Sequence, residues 1–208
     1  MAAPPDHSSD LAFAFVGGRL WLDFGNTDDA RLGVRVDTIA RFERLVDWLE
    51  AARVLDAERA DSLRRRGAEQ PSGAAAALVE ARRVRAALRS LAERARTDQG
   101  ERTKAVVLAE INRVLGRSVG TRRVEALPDG TYLRSFVPVG DLFGGLIIPV
   151  VESAVDSLVL GELSRIHNCA DRRCPRYFVD LTRSHTRRWC DMRTCGNRAK
   201  AQRWRRQP

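Results

Sequence analysis

The chain's only four cysteines fall within its last 40 residues, spaced Cys169-x4-Cys174-x15-Cys190-x4-Cys195. This is the feature that most limits how the C-terminal region can fold. Each close pair can deliver two sulfurs from one tight turn, and the fifteen-residue loop can bring the second pair back to the first. Zinc takes four thiolates in a closed tetrahedral site at about 2.3 Å. The surrounding segment is polar and arginine-rich, too poor in apolar side chains to build a core without a cross-link. One structural Zn2+ held by Cys169, Cys174, Cys190 and Cys195 is therefore expected. Four protein ligands leave no open position for water, which argues against hydrolysis there. His167 and His185 are the rival ligands in this segment and are expected at the surface. Tyr177, Phe178 and Trp189 are expected to form a small apolar core around the metal.

The charge collects in the same place. The whole chain carries 36 Lys+Arg against 27 Asp+Glu, a net +9. Residues 165–208 hold thirteen of the cations and three of the acids, a net +10, which leaves −1 for residues 1–164. Such asymmetry points to an anionic partner, nucleic acid or an acidic membrane, against the plainer reading of a solubilising tail. At 44% hydrophobic and 30% charged residues, the chain is neither a disordered polyelectrolyte nor a membrane protein. The most apolar run, Leu142–Val151, is interrupted by two glycines and Pro149, whereas a spanning helix needs about 20 residues. The first ten residues lack the basic and apolar regions of a secretory signal. A reducing, cytoplasmic setting is expected, where clustered cysteines read as metal ligands rather than disulfides.

The expected fold is mainly α with a small β-hairpin component: a helical N-terminal domain, then a small zinc-finger module ending in a basic helix. Residues 1–10 read as a disordered N-terminus, 11–162 as the helical domain and 163–208 as the finger. Leu11–Val16 and the residues beyond the Gly17-Gly18 turn read as an extended segment feeding the core. Asp37 is a candidate N-cap for a helix with Ile39, Phe42, Leu45, Val46 and Leu49 on one face. A second, arginine-rich helix starts near Asp56 and ends around Gly67. A long helix over Ala74–Arg96 buries Leu78, Ala81, Val84, Leu88, Leu91 and Ala95. Its Arg82, Arg83, Arg85, Arg89 and Glu93 are expected on a solvated face. Another helix covers Arg102–Leu115. Arg122–Leu127 and Thr131–Val137 flank Pro128-Asp129-Gly130 and predict a hairpin. Gly145–Leu160 returns to helical spacing through Ile148, Val151, Val155, Leu158 and Val159.

Beyond the last cysteine, a helix carrying Arg198, Gln202, Arg203, Arg205 and Arg206 presents a broad cationic face, with Lys200 at its margin. Ala201 and Trp204 lie opposite and could dock on the knuckle. Together with Arg187 and Arg188, these cations form the candidate nucleic-acid-binding set, since arginine forks onto phosphate and guanine edges.

The pattern Cys169…Cys174…Phe178-x-Asp180…Arg188-Trp189-Cys190-Asp191-Met192-x2-Cys195-Gly196-Asn197-Arg198-x-Lys200 closely resembles the CGNR zinc finger. Gly18-x2-Trp21-Leu22-Asp23-Phe24-Gly25-Asn26-Thr27 resembles the ABATE domain found ahead of it. The resemblance implies a bacterial, stress-induced transcription regulator whose four cysteines hold zinc. Asn197 would cap a helix or bond a zinc-bound sulfur, and Asp180 would orient an arginine or cap a turn. Asp23, Asn26 and Thr27 read either as a polar turn or as a ligand or partner site of the N-terminal domain.

The leading expectation is a regulator that binds double-stranded DNA through the finger while the helical domain senses a small-molecule effector or forms a homodimer. It would be cytoplasmic, associated with the nucleoid, and without a membrane partner. RNA binding and a thiol/zinc redox sensor are the competing classes. No enzyme is expected, for want of a P-loop, a dinucleotide-binding glycine fingerprint, a nucleophile elbow or a metalloprotease motif.

Overall fold

A computed structural model describes residues 12–31, 34–94, 97, 100–117, 119–126, 130, 132–140 and 143–205. The predicted disordered stretch 1–10 lies outside them, as do Pro128 and Asp129 of the predicted turn, Ala95 and Arg206.

The stretch after Gly18 is a helix, not the extended segment expected. Helix α1 (Leu20–Gly25) buries Trp21, Leu22, Asp23, Phe24 and Gly25. Asp23 Oδ1 accepts the Gly17 N–H at 2.7 Å, which folds the preceding turn back onto the helix. With both faces covered, a six-residue helix shows no apolar stripe for periodicity to detect.

Strands β1 (Asp28–Arg31) and β2 (Val34–Asp37) then pair antiparallel, Asp28 opposite Asp37 and Ala30 opposite Arg35. Asp37 therefore ends a strand and does not cap a helix. Its Oδ1 accepts the Ile39 N–H, and Arg85 holds the carboxylate at 2.6 and 3.0 Å. Helix α2 (Phe42–Ala51) begins five residues later, after an extended Arg41. Phe42, Leu45, Val46 and Leu49 are buried as expected, joined by a fully buried Trp48, while Ile39 is buried in the turn before the helix.

Helix α3 (Ala57–Glu69) starts where expected, and Asp56 caps it, its Oδ1 accepting the Arg59 N–H at 2.7 Å. Helix α4 (Pro71–Arg94) starts three residues earlier than expected, at a proline that suits a first turn. Helix α5 (Gly100–Arg117) packs on α4 through Val107, Ile111 and Val114. The predicted hairpin forms from β3 (Gly120–Ala126) and β4 (Tyr132–Pro138). Helix α6 (Ile148–Val159) buries Ile148, Val151 and Ala154, but Val159 is 80% exposed rather than in the core.

The finger follows with β5 (Ile166–Asn168) and β6 (Tyr177–Val179), an antiparallel pair enclosing the first cysteine knuckle. The second knuckle runs through a π-helical turn (Met192–Gly196) into α7 (Asn197–Trp204). Ile166 and Val179 belong to the same apolar core as Trp21, Phe24, Trp48, Leu88 and Val151. The finger is thus built onto the helical domain. Among the described residues no helix is long and apolar enough to cross a membrane.

Candidate metal centre and nucleic-acid interface

The four predicted cysteines converge. Their sulfurs all lie within 4.8 Å of one another and all four residues are buried. Cys174 and Cys190 Sγ are 3.6 Å apart, and Cys190 and Cys195 Sγ 3.8 Å. A tetrahedron with 2.3 Å zinc–sulfur bonds has edges of about 3.8 Å. Fully buried Phe178 closes the cluster, with Trp189 and Val16 packed against it. Tyr177 faces the main core instead.

Four clustered sulfurs are a donor set that suits a zinc ion. Sharing a proton with Cys190 pulls the Cys174 thiol down to about 6. The same contact and burial push Cys190 up, and burial beside the Cys174 and Cys169 sulfurs lifts Cys195 to about 11. Four sulfurs this close cannot all ionise unless a divalent ion sits among them. The site accordingly holds one structural Zn2+, which contributes folding energy to this small module. His167 stacks on Phe178 at 5.9 Å between ring centroids, and His185 is exposed at φ 48°. Neither joins the sulfur cluster.

The residues after Cys195 close the finger on itself. Asn197 Nδ2 donates to the Arg193 carbonyl at 3.1 Å, fastening the π-helical turn to α7. Arg198 reaches Asp171, inside the first knuckle, at 2.8 Å. Asp180 is fully buried. Against the cost of that burial, hydrogen bonds from the Thr182 hydroxyl and N–H and the Arg187 N–H pull its carboxyl down to about 2. Asp180 thus caps the turn leading to the second knuckle.

Asp23, Asn26 and Thr27 form no open pocket. All three are buried and bonded within the protein. Asn26 Nδ2 donates to the Tyr177 carbonyl at 2.8 Å while its Oδ1 accepts the Tyr177 N–H at 2.9 Å. The Val179 N–H donates to the Gly17 carbonyl at 2.8 Å. Together they cover the free edge of β6, which would otherwise expose unpaired backbone. Thr27 Oγ1 donates to the Phe24 carbonyl and accepts from Arg85.

The expected solvated face of α4 divides: Arg83 and Glu93 are exposed and Arg82 is half-buried, but Arg85 and Arg89 turn inward. Arg85 is buried on Asp37 and Thr27. Arg89 donates to the carbonyls of Gly25, Asp28 and Pro175, tying α1 and β1 to the finger. Arg176 answers from the finger side by pairing with Asp29. Nothing in the local sequence marks these partners, which lie 48 to 147 residues away.

The candidate nucleic-acid residues divide into two groups. Arg187 is half-buried, stacked 4.3 Å over Phe178, and donates to the carbonyls of Val16, Trp189 and Cys190. It is a strut of the finger, and Arg198 is partly committed to Asp171. Arg188, Lys200, Arg203 and Arg205 are exposed, and Arg206 lies outside the described residues. No residue of α7 is buried and Trp204 is 78% exposed, so the expected docking of Ala201 and Trp204 on the knuckle does not occur.

A four-sulfur knuckle pair built onto a helical domain defines a zinc-finger protein. Residues 165–207 match the CGNR zinc finger. Residues 18–161 match the ABATE family, described as "Putative stress-induced transcription regulator", and the chain belongs to that family. No curated protein matches it.

Proposed function

We propose that the chain is a non-enzymatic regulator whose finger binds double-stranded DNA through its unpaired cations, in the cytoplasm at the nucleoid. The observation that carries this reading is one of pairing. Among the described residues, Arg172, Arg183, Arg188, Arg193, Lys200, Arg203 and Arg205 are exposed and no ion pair to a carboxylate engages them. Cations left unneutralised beside a rigid metal centre suit a phosphate backbone, and arginine forks suit guanine edges. The closed four-sulfur site supports a scaffolding role for zinc rather than hydrolysis. Arg187 is not part of this interface, because its guanidinium is occupied by backbone carbonyls.

The test is fluorescence anisotropy with a duplex recovered by genome-wide mapping of bound DNA. For about five phosphate contacts, affinity should fall several hundred-fold between about 50 and 200 mM salt. Replacing Arg203 and Arg205 with alanine should lower the slope of log K against log salt by about 2. Equal affinity for a scrambled duplex, or for an RNA competitor, would count against a DNA-specific regulator.

A further inference from the structure

The helical domain holds a cavity between α3, β4 and the start of α6, lined by no residue of the finger. It measures about 120 Å3, slightly smaller than the ~150 Å3 apolar cavity known to take up benzene. Its walls are mostly apolar, from Leu55, Leu63, Phe136, Leu146 and Pro149. Phe136 is a fixed wall, because its ring fills the space a Cβ would need at both Gly120 and Gly145. Gly145 also has φ +78°, a conformation that favours glycine.

Arg59, Ser62 and Arg66 enter the same cavity from one stripe of α3, spaced as successive turns of a helix. Among the described residues no acid lines it, and neither arginine is ion-paired. Arg59 spends Nη2 on the Phe136 carbonyl at 2.8 Å. Its Nη1 is buried and has no hydrogen-bond partner. A guanidinium nitrogen enclosed without an acceptor is a costly arrangement, and a small turn of the side chain would bring it onto a carboxylate in the cavity with a charge-assisted bond. We infer that this cavity binds a small organic carboxylate of about one ring, its apolar body against Phe136 and Leu63 and its anion on Arg59, with Arg66 at hand. An apolar pocket with a few convergent polar groups is the usual form of a small-molecule site. The inference stands apart from DNA binding, since the two sites share no residue.

Calorimetric titration of the zinc-loaded full chain with benzoate tests it, with benzyl alcohol supplying the ring without the charge and acetate the charge without the ring. Benzoate should bind one to one with a dissociation constant on the order of 1 mM or tighter, and the other two at least about tenfold more weakly. Arg59→Gln should weaken benzoate about tenfold and leave benzyl alcohol unchanged. Ser62 is exposed on α3, so Ser62→Trp should fold normally while filling the mouth and abolishing binding, even if Arg59→Gln fails to fold. Failure of benzoate to bind, benzyl alcohol binding equally well, or wild-type binding by Ser62→Trp would each overturn the proposal.

Discussion

Asn26 is the residue whose replacement most directly tests how the finger is held. Its carboxamide offers a donor and an acceptor to the two backbone groups of Tyr177, at 2.8 and 2.9 Å, and only 4% of the residue is exposed. In Asn26→Ala both Tyr177 groups lose their partner. Tyr177 is half-buried, so water can partly replace the amide, and each stranded group should cost about 1 kcal/mol, the low end for buried polar atoms. The total, about 2 kcal/mol, should appear in urea unfolding of the zinc-loaded chain. A matched control is Val107→Ala, a buried position on α5, which packs on α4 and α6, with a similar expected loss of about 2 kcal/mol. Asn26→Ala should release zinc to a chelator faster than Val107→Ala does, because it loosens the finger specifically. Asn26→Asp adds a check of sign. Its carboxylate would face the Tyr177 carbonyl and stay protonated more readily in the folded state, so its stability should recover as pH falls. If Asn26→Ala lies within about 0.5 kcal/mol of wild type, or releases zinc no faster than the control, the strut assigned to Asn26 is wrong.

Burial pushes the Asp23 carboxyl from 3.8 up to about 6, against backbone hydrogen bonds from Gly17 and Val16. A raised folded-state value favours the fold below about pH 4 and costs stability as pH rises towards 6, about 3 kcal/mol in all, at about 1.4 kcal/mol per unit. Relative to Asp23→Asn, wild type should weaken over that range, and NMR titration of the carboxyl carbon at an ordinary 3.8 would sink the idea. Gly25 is buried, yet a Cβ there would meet nothing within 4 Å. Gly25→Ala should therefore raise stability by about 0.5–1 kcal/mol, and a loss in urea unfolding would mean the space is filled. Arg89→Met should strand three backbone carbonyls and lower stability by about 2–3 kcal/mol, whereas wild-type stability would return Arg89 to the solvated face its sequence suggests. Because Ile166 and Val179 share the main core, stripping zinc should lower the melting temperature of the whole chain in one cooperative step. A calorimetric trace with an unshifted helical-domain transition would refute that.

The metal centre was legible in the sequence because its chemistry is carried by residue type and spacing. Four thiols in two pairs admit few other uses, and the geometry follows from zinc rather than from distant packing. The helices with a clean stripe were legible for the same local reason, α3 with its start near Asp56. Helix α1 was not, because its partners surround it and leave no polar face. Strands β1 and β2 were not, because Asp-Asp-Ala-Arg and Val-Arg-Val-Asp are short and charged, and their acids are paired by arginines from α4 and the finger. Charge in a sequence does not reveal whether a side chain is solvated by water or paired with a carboxylate about fifty residues away.

That ambiguity decides how the finger's net +10 should be understood. The same residue type performs three tasks within one segment. Arg187 and Arg176 face inward, Arg187 bonding backbone carbonyls beside Phe178 and Arg176 holding Asp29 of β1. Arg198 closes the finger by pairing with Asp171, and Arg173 shares that acid at 3.5 Å. What distinguishes the remainder is the absence of such partners, and this confines the cationic surface to fewer side chains than composition suggests. In the signature Cys195-Gly196-Asn197-Arg198, then, the first residue binds metal and the last two fasten the start of α7 to the knuckles. The signature builds the platform, and among the described residues Lys200 and Arg203 on α7 and Arg205 at its C-terminal cap stay exposed beside it without a carboxylate partner.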